Sequence, residues 1–527
     1  MKARPFQQMM PPRNRLHLFA GGAVFAIVVL FRLCIIKFSP INTFIASLPD
    51  DAWYYIGIAR HIAAGAGSTF DGIHATNGYH PLWMIVVATS RLVTGDMELL
   101  RFAGMIAVLQ LLLGAAAACM NAMLCHRILK SNALAGLMLA LHATPFLVYG
   151  MTDGMESGLL QLFIAAIFWG AYAFRPFTAS ISIRVLAFGA IASMAVLTRL
   201  DFGLFVAALM LVLLSIQRDL RRAAVIAFPC AIMIPLYLFM NRMHFDTVMP
   251  ISALLKSTFP HWYFNADALR EHAIAVSAGL VTIALSAINA RRAMDRDVQL
   301  LLRSSAAFVA LHLIHTIFFT HWGIQKWHFT AYWPLLIWQI VILERTALVT
   351  GRAIGFAALL SFAGQFAFFH NRTDRAFQPH SYTAALWARD NIPTSRLIGM
   401  SDCGIFGAVR DNFVVNLDGV VNNAAYQQAL KQKGLRGYAN DLGISYIAHH
   451  AVDAEKVRKG YGTYEYKAYA HLGTEDKPSA LMLRESDEVY RGVPFDDGTG
   501  TKVFVIWKRR RELSPHDFNV GSTAHMP

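Results

Sequence analysis

Charge is scarce in this chain of 527 residues: Asp, Glu, Lys and Arg together make up 15% of it, against 56% hydrophobic residues. The mean hydropathy of +0.42 excludes an ordinary soluble protein of this size and points to a polytopic membrane protein. Acidic residues are the scarcer sign, 33 against 47 Lys and Arg, which leaves a formal charge of +14. In a membrane chain such a surplus gathers in cytoplasmic loops and beside anionic lipid, so it does not argue for nucleic acid. Cysteine is sparse as well. Four of the five, Cys34, Cys119, Cys125 and Cys230, lie in or beside apolar runs, and only Cys403 lies in the polar C-terminal third. An internal disulfide framework is thereby excluded there, and that region must fold on its hydrophobic core alone. Internal repeats and low-complexity linkers are absent.

What is abundant is apolar sequence. Runs long enough to cross or nearly cross a bilayer begin near residues 16, 101, 133, 158, 185, 201, 223, 273, 301, 329 and 353, which predicts about eleven transmembrane helices. The N-terminus carries Lys2, Arg4, Arg13 and Arg15, and the run after it lacks a small-residue cleavage site, so it reads as a retained first span. The run 81–93 is short and starts at a proline. If it does not cross, Arg127/Lys130, Arg175/Arg184, Arg218/Arg221/Arg222, Arg291/Arg292/Arg296 and Arg345/Arg352 all fall on the side of the N-terminus. That side is the cytoplasm by the positive-inside rule. The reading is a membrane domain over 1–369 with a first outer loop at 37–100 that holds a short non-crossing helix, 81–93.

After Phe369 the composition turns polar. A helix around "YTAALWARDN", strands at "RLIGM" and "FVVNLDG", a helix around "AAYQQALKQKG", and strands at "ISYIAHH", "ALMLRES" and "KVFVIW" predict a C-terminal extracytoplasmic α/β domain over 370–511. The tail 512–527 reads as disordered.

Outside the membrane, polar residues concentrate in a few places. The first outer loop opens with Asp50 and Asp51 before Tyr54 and Tyr55, then has turn-forming Asp71-Gly72 and Asn77-Gly78 ahead of His80. Adjacent carboxylates cannot share a helix face, but near a helix start one can cap while the other points into a cleft. The alternative for Asp50 is a plain N-cap of the helix "AWYYIGIARHIAA", and for the two tyrosines an interfacial aromatic role. "TDGMES" supplies Asp153 and Glu156 at a span mouth; a carboxylate at a span centre costs about 2.5–3.5 kcal/mol, so acids here suggest a wet cavity, with a solvated turn as the alternative. Arg199 and Asp201 in "TRLD" suit a structural ion pair. Lys256 in "PISALLKS" suits a phosphate, with Arg242 or Arg270 as other choices and snorkelling as the alternative role. His312 and His315 share a helix face, but no CxxC or HExxH accompanies them. Cavity lining is preferred to a metal site there. Asp402 and Asp418 follow predicted strands and read as turn residues.

The order of these elements, the Asp doublet with its aromatic pair, "IARHIAAG", "TNGYHPLW", "GMES", "LTRLD", "PISALLKS" and "VVNLDGVVN", resembles the GT-C glycosyltransferases from about Asp50 through Asn423. It is most similar to bacterial cell-wall arabinofuranosyltransferases and more distantly to lipid A aminoarabinose transferases and protein O-mannosyltransferases. The resemblance implies a sugar donor linked to a polyprenyl phosphate and a catalytic carboxylate from the acidic pair. Matching "IAR" places the base at Asp51, with Asp50 orienting it or a bound ion and Glu156 as a second catalytic acid. Lys256 then binds donor phosphate, and Tyr54, Tyr55, His80, Asp153, Arg199 and Asp201 complete the donor site. The chemistry agrees: a hydroxyl attacking an anomeric carbon needs a base that is ionised at neutral pH, and a departing phosphate needs positive charge more than a proton.

The expected activity is transfer of a hexosyl or pentosyl unit from that donor to a hydroxyl of a cell-envelope glycan or lipid, with inversion. It takes place at the outer face of a bacterial plasma membrane, without a required cofactor but with room for a divalent cation. A lipid-sugar flippase is the main alternative and would need functional charges at mid-span. A structural subunit that only binds glycan is a third reading, and leaves the outer-loop acids without a task.

Overall fold

A computed structural model describes residues 12–289, 295–344, 347–370, 376–410, 413–470 and 477–510. The predicted tail 512–527, Lys2, Arg4 and the Arg291/Arg292 pair lie outside them. Each apolar run falls on a helix: Pro12–Phe38, Leu99–Leu129, Asn132–His142, Ser157–Phe174, Ile183–Thr198, Gly203–Val212, Leu220–Phe245, Ala273–Asn289, Arg296–Phe318, Tyr332–Leu343 and Ala347–His370. Side chains set several of the starts. Glu98 accepts from the N–H groups of Leu100 and Arg101, Ser131 from Leu134, and Asp295 from Asp297 and Val298, the usual remedy for unsatisfied first-turn donors.

Among the described residues six helices are long and apolar enough to cross a membrane: Arg15–Phe38, Leu99–Leu129, Ser157–Phe174, Leu200–Gln217, Leu220–Phe245 and Arg296–Phe318. The chain is thus a multi-pass membrane protein. The count of six is smaller than the number of apolar runs for a geometric reason. Asn132–His142 has 11 residues and Ile183–Thr198 has 16, lengths of roughly 16 and 24 Å at 1.5 Å per residue, short of a hydrocarbon core of about 30 Å. The helix Pro81–Thr94, at 14 residues, is also short of that length.

Among the described residues the C-terminal third contains eight strands: β1 (Leu397–Met400), β2 (Val414–Asn416), β3 (Ile444–Asp453), β4 (Thr463–Ala470), β5 (Lys477–Arg484), β6 (Glu488–Arg491), β7 (Phe495–Asp496) and β8 (Thr501–Lys508). The main sheet runs β2-β1-β3-β8-β6, with β7 also on β8; β1 is parallel to β2 and β3, and β8 is antiparallel to its neighbours. β4 and β5 form a separate antiparallel pair. The predicted strands and both predicted helices, Phe377–Asn391 and Ala424–Leu442, are present. β4, β6, β7 and the short helices Gly404–Arg410 and Ala454–Lys459 are additional. β4 reads "TYEYKAYA", where Tyr464, Tyr466 and Ala468 alternate with Glu465 and Lys467, a period-2 strand signal that the sequence reading misses.

A hydrophobic core joins the two regions. Trp53, Tyr54, Ile58, Trp83 and Phe102 share it with Ile398, Phe406, Phe504 and Ile506. The first polar loop is therefore a packed layer between the membrane helices and the sheet. It is not a solvated connection.

Candidate active site

The helix Asp50–Ala63 starts after Pro49, and no side chain caps it. Asp50 is turned away from its own helix. Its Oδ2 accepts from the Gly404 N–H at 2.7 Å and its Oδ1 from Ile405 N–H at 3.4 Å and Gln378 Nε2 at 3.1 Å. The carboxylate thereby caps the first turn of Gly404–Arg410. A Cβ on Gly404 would lie 2.3 Å from the Asp50 carbonyl oxygen and 2.7 Å from Oδ1, so the contact needs glycine. Burial, the largest influence, raises the Asp50 carboxyl to about 7 against the lowering effect of the Gly404 hydrogen bond. The expectation that Asp50 caps its own helix gives way to a cap on a helix some 350 residues away.

Asp51 instead lines a cleft of about 470 Å³ together with Tyr54, Lys256, Trp322, Gln325, Ser401, Asp402, Asp418, His449 and Lys467. A narrower recess continues from it past Tyr55, Tyr79, His80 and His328. Lys256 closes the short helix Ile251–Lys256, and among the described residues no acceptor is within hydrogen-bond distance of its Nζ. Its aliphatic stem lies along Gly323, where a Cβ would be 2.9 Å from Cε. The alternative cations are elsewhere. Arg242 donates to the Asp246 carbonyl and Arg270 pairs with Asp267, both exposed.

Tyr54 and Tyr55 face opposite partners. The Tyr54 hydroxyl donates to Asp418 Oδ2 at 3.3 Å and accepts from Cys403 N–H and Asn416 Nδ2. Tyr55 donates to Glu156 Oε2 at 3.3 Å and accepts from His80 N–H at 2.9 Å. Burial, and next the Asp418 or Glu156 carboxylate, holds each phenol well above its ordinary value. Both tyrosines are therefore hydrogen-bond posts, and the alternative of an interfacial aromatic role is excluded for them: each is buried.

Behind the recess runs a chain of buried charge. Glu156, fully buried, pairs with Arg199, which is bidentate to Asp201 through Nε at 3.1 Å and Nη2 at 2.6 Å. Asp201 stands 3.5 Å from His312 Nε2, whose Nδ1 is 2.8 Å from the Tyr332 hydroxyl. His80 links this chain to the recess. Leu200 N–H donates to its Nδ1 at 3.4 Å, so the neutral ring carries its proton on Nε2, 3.7 Å from Glu156. Burial lowers the His80 imidazole below its usual value. Glu156, Arg199 and Asp201 do not line the cleft; a buried guanidinium shared by two carboxylates is stable only where both charges are matched and hydrogen-bonded, and that geometry uses up the groups. Asp153 is equally removed. It accepts from Gln110, the Met155 N–H and the Ser157 hydroxyl, bracing the start of Ser157–Phe174, and is neither in the cleft nor in a solvated turn.

Sequence reasoning misses the contribution of the C-terminal region. Asp402 and Asp418, which read as turn residues, both reach the cleft. Asp402 has φ +48°, a left-handed conformation that Asp tolerates better than most residues. Its N–H is tied to Asp418 Oδ2 at 2.9 Å. The neighbouring Ser401 N–H is tied to the Tyr466 hydroxyl at 2.8 Å. Asn77 has a larger part than its turn role predicts. Its side chain takes the Ile251 N–H at 3.0 Å and donates to Thr247 at 3.1 Å, fixing the segment that ends in Lys256. The positive φ at 402 is invisible in sequence, whereas the turn formers of "TNGYH" are a local signal. Among the described residues no group of three His, Cys, Asp or Glu side chains is placed to hold a metal ion. His312, the candidate ligand paired with His315, is held by Tyr332 and Asp201.

No family model matches the sequence, and no curated protein sequence is similar to it. Solved structures are. ArnT from Cupriavidus metallidurans bound to undecaprenyl phosphate aligns over 88% of this chain and 97% of its own, with TM-score 0.54 and 13% identity. Its apo form aligns over the same shares at TM-score 0.53 and 12% identity. Archaeal oligosaccharyltransferase AglB from Archaeoglobus fulgidus, in complex with an inhibitory peptide and a dolichol-phosphate, aligns over 81% of this chain and 69% of its own, at TM-score 0.47 and 12% identity. At such identities the likeness to ArnT is one of fold. The chain shares the fold of ArnT, membrane helices followed by a strand-containing region, along nearly the whole length of that protein.

Proposed function

We propose that this protein is an integral-membrane glycosyltransferase that moves a sugar from a polyprenyl-phosphate donor to a hydroxyl of a cell-envelope glycan or lipid, inverting the anomeric centre. The observation that carries the reading is a cleft lined by both the Asp51 carboxylate and the Lys256 ammonium, on a fold shared with a structure bound to undecaprenyl phosphate. Asp51 takes the proton of the acceptor hydroxyl as its oxygen bonds to the anomeric carbon. The bond from that carbon to the donor phosphate breaks, and its electron pair leaves on the phosphate oxygen, where Lys256 offsets the charge. Tyr54, Tyr55 and His80 shape the donor side. Glu156, Arg199 and Asp201 act through Tyr55 and His80 as positioning residues. Asp402, with Ser401 and His449, forms the acceptor side.

The same proposal covers topology. The six long helices and the shorter apolar ones together make about eleven crossings within 1–369, with Asn132–His142 extended across the core by the helix Pro145–Gly150 that follows it and with Pro81–Thr94 lying along the membrane surface. The N-terminus is cytoplasmic and the α/β domain 370–511 extracytoplasmic, at a bacterial plasma membrane. The flippase alternative needs functional charge at mid-span. Glu156, Arg199 and Asp201 instead sit at or beside the first residues of Ser157–Phe174 and Leu200–Gln217, which favours an enzyme.

The test uses purified protein with radiolabelled polyprenyl-phosphate sugars of several kinds, scoring free lipid phosphate. Wild type releases it; Asp51→Asn binds donor but releases at most about one part in a hundred of the wild-type rate, within the range for loss of a general base. Lys256→Ala raises the apparent donor KM. Full turnover by Asp51→Asn would sink the assignment of the base. Binding without release by wild type, whatever the acceptor, would return the weight to transport.

A further inference from the structure

Four aromatic side chains within six residues are exposed on the loop that follows Lys256: Phe259 at 70%, Trp262 at 66%, Tyr263 at 42% and Phe264 at 56%. The stretch 257–265 contains no Asp, Glu, Lys or Arg. A patch of this kind facing water is an aggregation liability. Its place in the fold says what covers it. The loop is tied by backbone to the end of the membrane-length helix Arg296–Phe318: Thr258 N–H donates to the Phe319 carbonyl at 2.9 Å, Tyr263 N–H to Phe318 at 2.9 Å and Asn265 N–H to Ile317 at 2.8 Å. Trp262 stacks on Phe318 with ring centroids 4.2 Å apart, and Phe259 and Phe264 meet Phe319 and Phe318 edge-on or tilted. The aromatic surface is thus held at the level where a span ends, which is where indole and phenol rings partition between headgroups and acyl chains.

We propose that Phe259–Phe264 is an interfacial anchor that inserts into the headgroup region of the leaflet on the side of the cleft. The anchor is rigidly coupled to Lys256. Ser257 bridges to Thr320, and His321 N–H donates to the Lys256 carbonyl at 3.3 Å. Seating the aromatic loop in the bilayer therefore fixes the depth of the Lys256 ammonium at the headgroup layer. On the proposed function, that is the depth at which a polyprenyl donor carries its phosphate. The insertion itself does not depend on that reading; its consequence for donor use does.

Two measurements separate the parts. Wild type and Trp262→Phe, which keeps a ring on Phe318, are reconstituted with phospholipids brominated near the glycerol end or near the chain terminus, and the emission of Trp262 is taken as the difference. Insertion predicts strong quenching by the shallow bromines and little by aqueous iodide. Quenching by iodide with none by either lipid overturns the anchor. Next, the triple variant Phe259→Ser, Trp262→Ser, Phe264→Ser is assayed with a full-length polyprenyl-phosphate sugar in bilayers and with a short-chain, water-soluble analogue. The coupling predicts an apparent KM raised roughly tenfold for the bilayer donor alone. An equal change for both donors, or none for either, overturns the coupling. Absence of turnover in the wild type overturns the proposed function while leaving the quenching result to stand.

Discussion

A carboxylate that accepts hydrogen bonds from two backbone N–H groups, as Asp50 does from Gly404 and Ile405, is fixed in direction and has its lone pairs committed. Asp51, one residue on and turned about 100° around the helix, is left to face the cleft. That two adjacent acids split in this way is legible in the sequence, because neighbours on a helix diverge. What Asp50 caps is not, since the partner helix begins at residue 404. The split has a pH signature. Asp50 titrates at about 7 in the folded chain against an ordinary carboxyl value of 3.8, so between those values the folded chain holds a proton that the unfolded chain has released. Its contribution to stability is fully present below pH 3.8 and is lost as the pH rises through 7. Asp153, raised to about 7 chiefly by burial, has the same sign. Thermal unfolding in detergent should show a midpoint that falls across that window, and Asp50→Asn should flatten part of the fall. An unchanged slope in the variant would mean that Asp50 is ionised throughout. Asp402 makes a different prediction. Asparagine also tolerates its φ of +48°, so Asp402→Asn preserves the backbone and removes only the ionisable carboxyl. Steady-state kinetics should then show a higher KM for acceptor, by roughly tenfold, with donor KM unchanged; an effect on donor alone would move Asp402 to the other side of the reaction.

At the scale of elements, one turn organises both walls of the cleft. Asn77 holds the segment leading to Lys256, and Gly78 lets the Val420 carbonyl come within 1.8 Å of where a Cβ would stand. Asn77→Ala orphans the buried Ile251 N–H and removes the tie to Thr247, at a cost of about 1–3 kcal/mol for an unsatisfied buried group. The expected result is a lowered thermal midpoint together with weaker donor binding, because the helix Ile251–Lys256 loses its fixed start. A variant that melts earlier yet binds donor normally would limit Asn77 to stability. The chain reversal here is readable from sequence, since Asn-Gly and Asp-Gly encode turns locally. Its partners lie about 170 and 340 residues away, and nothing local encodes them. The same holds for Arg199 and Asp201: their pairing is legible from spacing, whereas the Glu156 that completes it is expected in the cleft and is buried behind it.

For the whole molecule, the apolar runs are legible because hydrophobicity over twenty residues is a strong signal, and the helices fall on them. How many cross is less so, because several are shorter than the bilayer core. The C-terminal strands are largely readable; their function is not, because it arises from docking. Trp53, Tyr54 and Ile58 on one side and Ile398, Phe406 and Phe504 on the other bury the same apolar surface, while Gly404–Arg410, capped by Asp50, brings Asp402 to the cleft. The strand-containing region is therefore part of the site's wall and part of its core at once, and removing it cannot be a clean test of acceptor binding. A chain ending at residue 370 exposes the apolar face of Asp50–Ala63, and at about 25 cal/mol per Å² the loss of several buried aromatic and aliphatic side chains amounts to many kcal/mol. Size-exclusion chromatography in mild detergent should find that chain aggregated, and donor binding should be lost along with acceptor use. A monodisperse truncated chain that still binds donor as tightly as the full one would show that the membrane helices build the donor site unaided, and would confine the C-terminal region to the acceptor.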